Sequence, residues 1–378
     1  MKSVVIAGYA RSPFHFAKKG ALARVRPDDM CAQVIAGLVE RTKIDPATLE
    51  DVIVGCAMPE GEQGLNIARL ASFLAHLPIT VAGTTVNRFC GSSMQSVHMA
   101  AGAIQLDAGD AFICAGIESM TRIPMGGFNP SPNRDLVATF PAAYMSMGET
   151  AENVARKYQV TRTDQDAFSA RSHRKAAAAQ SAGKLAAEIV PIKSKTGAVD
   201  KDGCIRPDTT PEILAGLQPA FEKEGTVTAG SSSPLTDGAS AILVCTEDYA
   251  KRNKLEPLAR VKSIAVAGCP PEIMGIGPVD ATKKALKRAG IQAKDLDVIE
   301  LNEAFASQAI ACMRELGLDE AKVNLDGGAI AIGHPLGATG ARITGKAAQL
   351  LQREGKRYAL ATQCIGGGQG IATILERL

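Results

Sequence analysis

The chain has 378 residues, with 42 Lys plus Arg against 39 Asp plus Glu and 46% apolar against 21% charged residues. At about 150 residues per domain that length holds two to three domain-sized units, and the composition excludes a disordered chain and disfavours nucleic acid binding on bulk charge. Nine cysteines without a C-x-x-C pair, in a chain long enough to need no staples, point to a reducing compartment.

In chain order, Met1 to Gly8 lacks the apolar run and cleavage site of a secretory leader and reads as a strand. Pro27 to Val39 reads as a helix, with proline at a tolerated early position and Asp28 and Asp29 near its positive end. Val52 to Val54 is a buried strand, Asn66 to Phe73 a helix, Thr84 to Asn87 a strand, Ser93 to Leu106 a helix and Ala111 to Ala115 a strand. From Ser119 to about Ala142, Pro, Gly, Asn and Met accumulate, which predicts a loop excursion. Helical patterns follow from Met147 to Tyr158 and Asp164 to Gln180, and Ala239 to Cys245 rejoins a sheet. No apolar run is long enough to span a bilayer, so a cytoplasmic protein is expected.

After a charged link at Glu247 to Lys254 the pattern restarts. Ile44 to Ile53 resembles Ile291 to Ile299 with one gap, each behind an amphipathic helix, and Cys90-Gly91 is echoed by Cys364-Ile365-Gly366. Units of strand and helix also look alike by chance, and that alternative stays open here. Duplication predicts two similar α/β/α layers about a pseudo-twofold axis, with the two cysteine loops near one another.

Candidate chemistry centres on few residues. Cys90 lies between an apolar strand and a helix whose Met94, Val97, Ala101 and Ile104 form one face, so amide donors and the helix field are expected to favour its thiolate. A buried small residue is the bland alternative. Cys31, Cys114, Cys245 and Cys312 read as structural, as do His98, His15, His76 and His173, the last three in surface-like contexts. His334 differs, because Gly333 and Pro335 set it on a tight turn, a suitable address for a base acting on a thiol. No Cys/His spacing matches a zinc cluster, so no metal is expected. No phosphate-loop pattern occurs either, and Gly366-Gly367-Gly368 precedes the strand-like Ile371 to Leu375 rather than a helix.

Four separated motifs occur in order: Asn87-Arg88-Phe89-Cys90-Gly91-Ser92-Ser93-Met94-Gln95, Asn302-Glu303-Ala304-Phe305-Ala306, Gly333-His334-Pro335, and Cys364-Ile365-Gly366-Gly367-Gly368-Gln369-Gly370. With Met147 to Asn153 and Thr228 to Ser233, they make the whole chain resemble the thiolase family. The resemblance implies the duplicated five-layered α/β/α/β/α thiolase fold with an inserted loop domain. Its expected parts are an N-terminal half at 1–117 plus 241–250, a coenzyme A-binding loop domain at 118–240 and a C-terminal half at 251–378.

The resemblance also implies an acyl-enzyme at Cys90, with His334 as its base and Cys364 as acid and base for the departing acetyl-CoA and the incoming CoA. One oxyanion hole falls to His334 and a water held by Asn302, the other to the backbone amides of Cys90 and Gly366. Ser233, Met147 and Phe305 are the expected CoA and substrate contacts, and Arg171, Lys175, Arg206 and Lys223 are candidates for the CoA phosphates. CoA is implied as substrate, with no tightly bound cofactor. A homodimer or homotetramer is expected, and a β-oxidation multifunctional enzyme is a further partner the resemblance allows. Gly91-Ser92-Ser93-Met94 looks more like the fatty-acid-degrading 3-ketoacyl-CoA branch than the acetoacetyl-CoA one. A ketoacyl synthase would carry paired histidines, and a non-catalytic lipid-binding or scaffold relative would lack Cys90, His334 or Cys364.

Overall fold

The computed structural model describes residues 2–378. The N-terminal half-sheet contains β1 (Val4–Arg11), β2 (Asp51–Cys56), β3 (Ala82–Val86), β4 (Ala111–Ser119) and β5 (Thr236–Thr246), in the order β3-β2-β4-β5-β1. The C-terminal half-sheet contains β6 (Ala259–Gly268), β7 (Val298–Leu301), β8 (Tyr358–Ile365) and β9 (Gln369–Glu376), in the order β7-β8-β9-β6. The two meet where β1 pairs with β6, through Val5 opposite Arg260 and Ile6 opposite Ala259.

Period-two alternation turns the strands into layers. Val52 and Val54 face one way, with Ile113, Ala115, Leu243 and Cys245, onto α1 (Pro27–Thr42) and α2 (Ile67–Leu74). Ile53, Phe112, Cys114 and Val244 face the other way, onto α3 (Ser92–Gln105) and α8 (Leu336–Arg353). Val298, Ala359 and Ile371 of the second half-sheet cover the same helices from the far side. Ile299, Leu301 and Leu360 then face α6 (Gly277–Ala289) and α7 (Ala306–Leu316), which completes five layers.

Helix α3 is therefore more than a one-sided helix. Its apolar face carries Met94 and Val97, while its other positions bury Ser93, Ser96 and His98. Ser93 Oγ accepts from Ala341 N on α8 at 2.8 Å. Gly340 lets the two helices approach this closely, since a Cβ there would lie 2.2 Å from Met94 N.

The halves repeat element by element: β1, α1, β2, α2, α3, β4 and β5 correspond to β6, α6, β7, α7, α8, β8 and β9. The counterpart of β3 shrinks to one bridge between Ile299 and Val323. The expected echo of the two cysteines is corrected by this mapping. Cys90 precedes α3, whose counterpart α8 follows His334-Pro335, so the repeat mate of the cysteine turn is the histidine turn. Val52 faces Ile113 and Val298 faces Ala359 in the two parallel pairs, and counting on from there puts Glu118 in the register position of Cys364. Each of those two residues faces a glycine across the next antiparallel pair, Gly238 and Gly370.

Between β4 and β5 the chain makes an excursion that includes α4 (Met147–Lys157) and α5 (Arg162–Ser181). The expected limits at 118 and 240 fall inside β4 and β5. Their polar ends read as loop in the sequence but pair with each other, Ser119 Oγ donating to Asp237 Oδ1 at 3.2 Å. His173 is likewise not at a surface: it is buried on α5, where Nδ1 accepts from Arg206 N at 3.1 Å. A buried ionic chain links all three parts, Arg11 to Glu188 and Asp202, and Lys346 to Glu188 and Asp326.

Candidate active site

The turn before α3 is built by short polar side chains. Phe89 N donates to Asn87 Oδ1 at 2.8 Å, and Ser92 Oγ accepts from Arg88 N at 2.9 Å and donates to Phe89 O at 2.6 Å. These bonds hold Phe89 at φ +43°, a left-handed conformation costly for a side chain with a Cβ. The result delivers Cys90 to the helix start, partly buried against the cluster of Ala17, Ala57, Met120 and Leu336.

The expectation of a favoured thiolate is not met in the resting site. Burial pushes the Cys90 thiol up to about 11, although the amides of Gly366 and of Cys90 itself work against that, and nearby Glu118 adds to the rise. Cys90 gives up its proton readily only to a base. The same two amides are the pair that the family resemblance assigns to an oxyanion hole. Gly366 leaves room there, since a Cβ on it would sit 3.5 Å from Met147 Sδ and 3.8 Å from the Phe89 ring.

His334 is buried at the opposite repeat turn. Its Nδ1 meets Thr339 Oγ1 at 2.6 Å, and Thr339 Oγ1 donates to Pro335 O at 3.1 Å. With the hydroxyl proton committed to Pro335, Nδ1 is the donor to Thr339, which leaves Nε2 with its lone pair. Asn302 Nδ2 lies 3.4 Å from that Nε2, and Asn302 Oδ1 is buried without a protein partner. Burial, then the Arg342 charge, lowers the imidazole to about 3, so it rests neutral. His334 and Cys90 are not hydrogen-bonded to each other in the resting structure; Leu336, two residues beyond His334, belongs to the apolar cluster on which Cys90 packs.

Cys364 lies one residue before the end of β8, with burial holding its thiol well above the usual range and the neighbouring Cys90 sulfur the next cause. Gln363 Nε2 donates to Cys90 O, tying the two cysteine segments together. Cys364 packs with Met147, Ala304 and Phe305, so these two expected contact residues line its side of the site. Ser233 is partly exposed and anchored beside them, its N donating to Ala304 O at 2.9 Å. Phe221 adds an edge-on ring 5.9 Å from that of Phe305.

Of the four basic candidates for the CoA phosphates, Arg171 and Lys175 sit one turn apart on α5 beside the same small cavity, and each of the two already has a protein partner. Arg171 pairs with Glu320, Lys175 Nζ donates to Val323 O at 2.7 Å, and Arg206 lies 5.6 Å over the Phe16 ring. Lys223 is exposed just after Phe221. Sequence reasoning missed Thr339, although it falls one helical turn beyond His334. It also missed Glu118, whose signal is an acid at the end of an otherwise apolar strand.

The fold agrees with the comparisons. Residues 4–248 match the family model described as thiolase, N-terminal domain, and residues 255–377 match that of the thiolase C-terminal domain. The chain belongs to the thiolase family. It is 49% identical over 389 aligned residues to the 3-ketoacyl-CoA thiolase of Bacillus subtilis (strain 168), covering 100% of both chains. It is 48% identical to the 3-ketoacyl-CoA thiolase of Idiomarina loihiensis, again over 100% of each. Among solved structures, the Bacillus anthracis acetyl-CoA acetyltransferase matches with a TM-score of 0.92 at 39% identity, covering 100% of this chain and 99% of that one.

Proposed function

We propose that this thiolase-family acyltransferase is a 3-ketoacyl-CoA thiolase that works through a Cys90 acyl-enzyme and releases acetyl-CoA in fatty acid β-oxidation. The observation that carries the reading is the convergence of Cys90, the Gly366 amide and Cys364 on one side, with His334 and Asn302 paired on facing elements. The full-length likeness to relatives bearing that name supports it.

In this reading His334 Nε2 takes the Cys90 proton, and the thiolate attacks C3 of the 3-ketoacyl-CoA. The oxyanion on C3 is met by the amides of Cys90 and Gly366. The C2–C3 bond then breaks, and the carbanion of the leaving acetyl-CoA takes the proton of Cys364, its enolate oxygen facing His334 and the Asn302 side chain. Incoming CoA gives its thiol proton to the Cys364 thiolate and attacks the acyl carbon. The C–S bond to Cys90 breaks, and the Cys90 sulfur recovers its proton from His334.

Ser233, Met147 and Phe305 contact the CoA thioester arm, CoA is the only cofactor-like molecule used, and it enters as substrate. We further expect a cytoplasmic homo-oligomer, a dimer or tetramer, open to association with an enzyme that supplies 3-ketoacyl-CoA. Strand β3 supports assembly: it closes one end of the sheet with its residues half-exposed, near exposed Leu65 and Ile79. Light scattering reads this directly, and a mass of one chain rejects it.

A second reading, acetoacetyl-CoA chemistry as an acetyl-CoA acetyltransferase, is favoured by the match to the Bacillus anthracis structure. Loss of the 3-ketoacyl-CoA enolate absorbance with CoA, across C4, C6, C10 and C16 substrates, separates the two. Activity rising beyond C4 and absent in Cys90→Ala supports the first reading. Activity confined to C4 supports the second, and silence throughout rejects both.

A further inference from the structure

Glu118 is a buried carboxylate that the chemistry above leaves without a role. It is 1% exposed at the end of β4. Oε2 accepts from Ala57 N at 2.8 Å and Gly337 N at 2.9 Å, and Oε1 accepts from Gln63 Nε2 at 2.8 Å and Met58 N at 3.2 Å. All four donors are N–H groups of neutral amides. Four N–H donors on two oxygens, with Cys56 Sγ a further 3.9 Å from Oε1, favour the ionised form, while burial works against them and pushes the carboxyl up.

The donors come from both halves of the chain. Ala57, Met58 and Gln63 follow β2 in the N-terminal half, and Ala57 belongs to the apolar cluster on which both Met58 and Cys90 pack. Gly337 belongs to the first turn of α8 in the C-terminal half, three positions after His334. A carboxylate at a helix start is favoured by the unpaired N–H groups and the helix field. The approach is tight enough to demand glycine on both sides. A Cβ at Gly337 would lie 2.6 Å from Ile117 O and 2.9 Å from Glu118 Oε2, and one at Gly116 would lie 2.3 Å from Gly337 O.

The repeat gives this contact a meaning. Glu118 stands in the register position of Cys364, and each strand end reaches across to the helix turn of the other half. At Cys364 the reach is made by the Gln363 side chain and the Gly366 amide toward Cys90. At Glu118 it is made by the carboxylate toward the turn that carries His334.

We propose that Glu118 is a positioning residue, its carboxylate docking the His334 turn of one half onto the Cys90 side of the other. It touches no reacting atom and acts through His334. The inference rests on His334 being the base in the proposed function.

The test is a double-mutant cycle between Glu118→Gln and His334→Ala, following kcat and KM with a 3-ketoacyl-CoA and CoA. Glutamine keeps the shape but turns an NH2 group toward amide donors, so the dock is broken. The expected result is a kcat about 10- to 100-fold lower in Glu118→Gln, the scale of a misplaced catalytic group, with KM within about twofold. In the His334→Ala background the same substitution should cost nothing further. Gln63→Met, which removes one donor and leaves three, should show a smaller loss of the same pattern and serves if Glu118→Gln does not fold. Wild-type kcat in both Glu118→Gln and Gln63→Met, or losses that multiply in full on His334→Ala, overturn the proposal alone. Wild-type kcat in His334→Ala would instead remove the base assignment beneath it.

Discussion

At the scale of single residues, the site works by withholding charge. Cys90 is held as a thiol by burial and His334 as a neutral imidazole by burial and Arg342, so no resting ion pair forms between them. The proton transfer is left to the bound state, where a closed site strengthens it. Thr339 then decides which nitrogen is ready. Thr339→Val removes the acceptor for Nδ1–H, at a cost of about 1–3 kcal/mol for the buried donor left unpaired, and lets the imidazole carry its proton on Nε2 instead. The expected outcome is a kcat lower by about tenfold or more with KM little changed, while Thr339→Ser keeps the wild-type rate. Steady-state kinetics of the pair would refute the assignment if the valine variant turned over like wild type.

At the scale of elements, the sequence carried most of the periodic structure. Helix α1 runs to Thr42 rather than Val39, and β4 to Ser119 rather than Ala115, yet both were legible from apolar spacing. What escaped was polar material inside buried elements. Glu118 and Asp237 look like loop residues because an acid in a strand is ordinarily solvated, and only the folded chain reveals who bonds them, Ser119 for Asp237 and the starts of distant segments for Glu118. The same limit hid Arg11, Lys346 and the acids between them, a set separated in sequence and joined only by folding. Within the site, Cys90, His334, Asn302 and Cys364 were legible from motifs. The equivalence of the two cysteines was misread, because a cysteine beside a glycine says nothing about which step of the repeat it occupies.

At the scale of the whole molecule, buried histidines give stability a measurable pH signature. Burial lowers His98 to about 3 and His173 to about 4, while an unfolded chain binds those protons near pH 6.5. The sign follows: below about pH 6.5 the unfolded state holds more protons, so these groups favour unfolding increasingly until the folded values are reached. Glu300, raised by burial to about 7, opposes the trend, so the contribution is best isolated by difference. His98 also meets Thr373 Oγ1 at 2.9 Å, a bond glutamine can keep. Relative to wild type, His98→Gln should gain about 1.4 kcal/mol per pH unit on going from pH 6 to pH 4. Urea melts at pH 4, 5, 6 and 7 would show this, and a constant gap between the two proteins would dismiss it.

The placing of β1 has a consequence for synthesis. Among the described residues its partners in the sheet are β5, which begins at Thr236, and β6, which begins at Ala259. A ribosome therefore releases an apolar strand, Val4-Val5-Ile6-Ala7, long before anything exists to pair with it. Domains fold as they emerge, and unpaired strands are the segments that attract other chains. A strand made before both of its partners is among the last of its half to be seated, which makes this segment a place where a holding chaperone would matter.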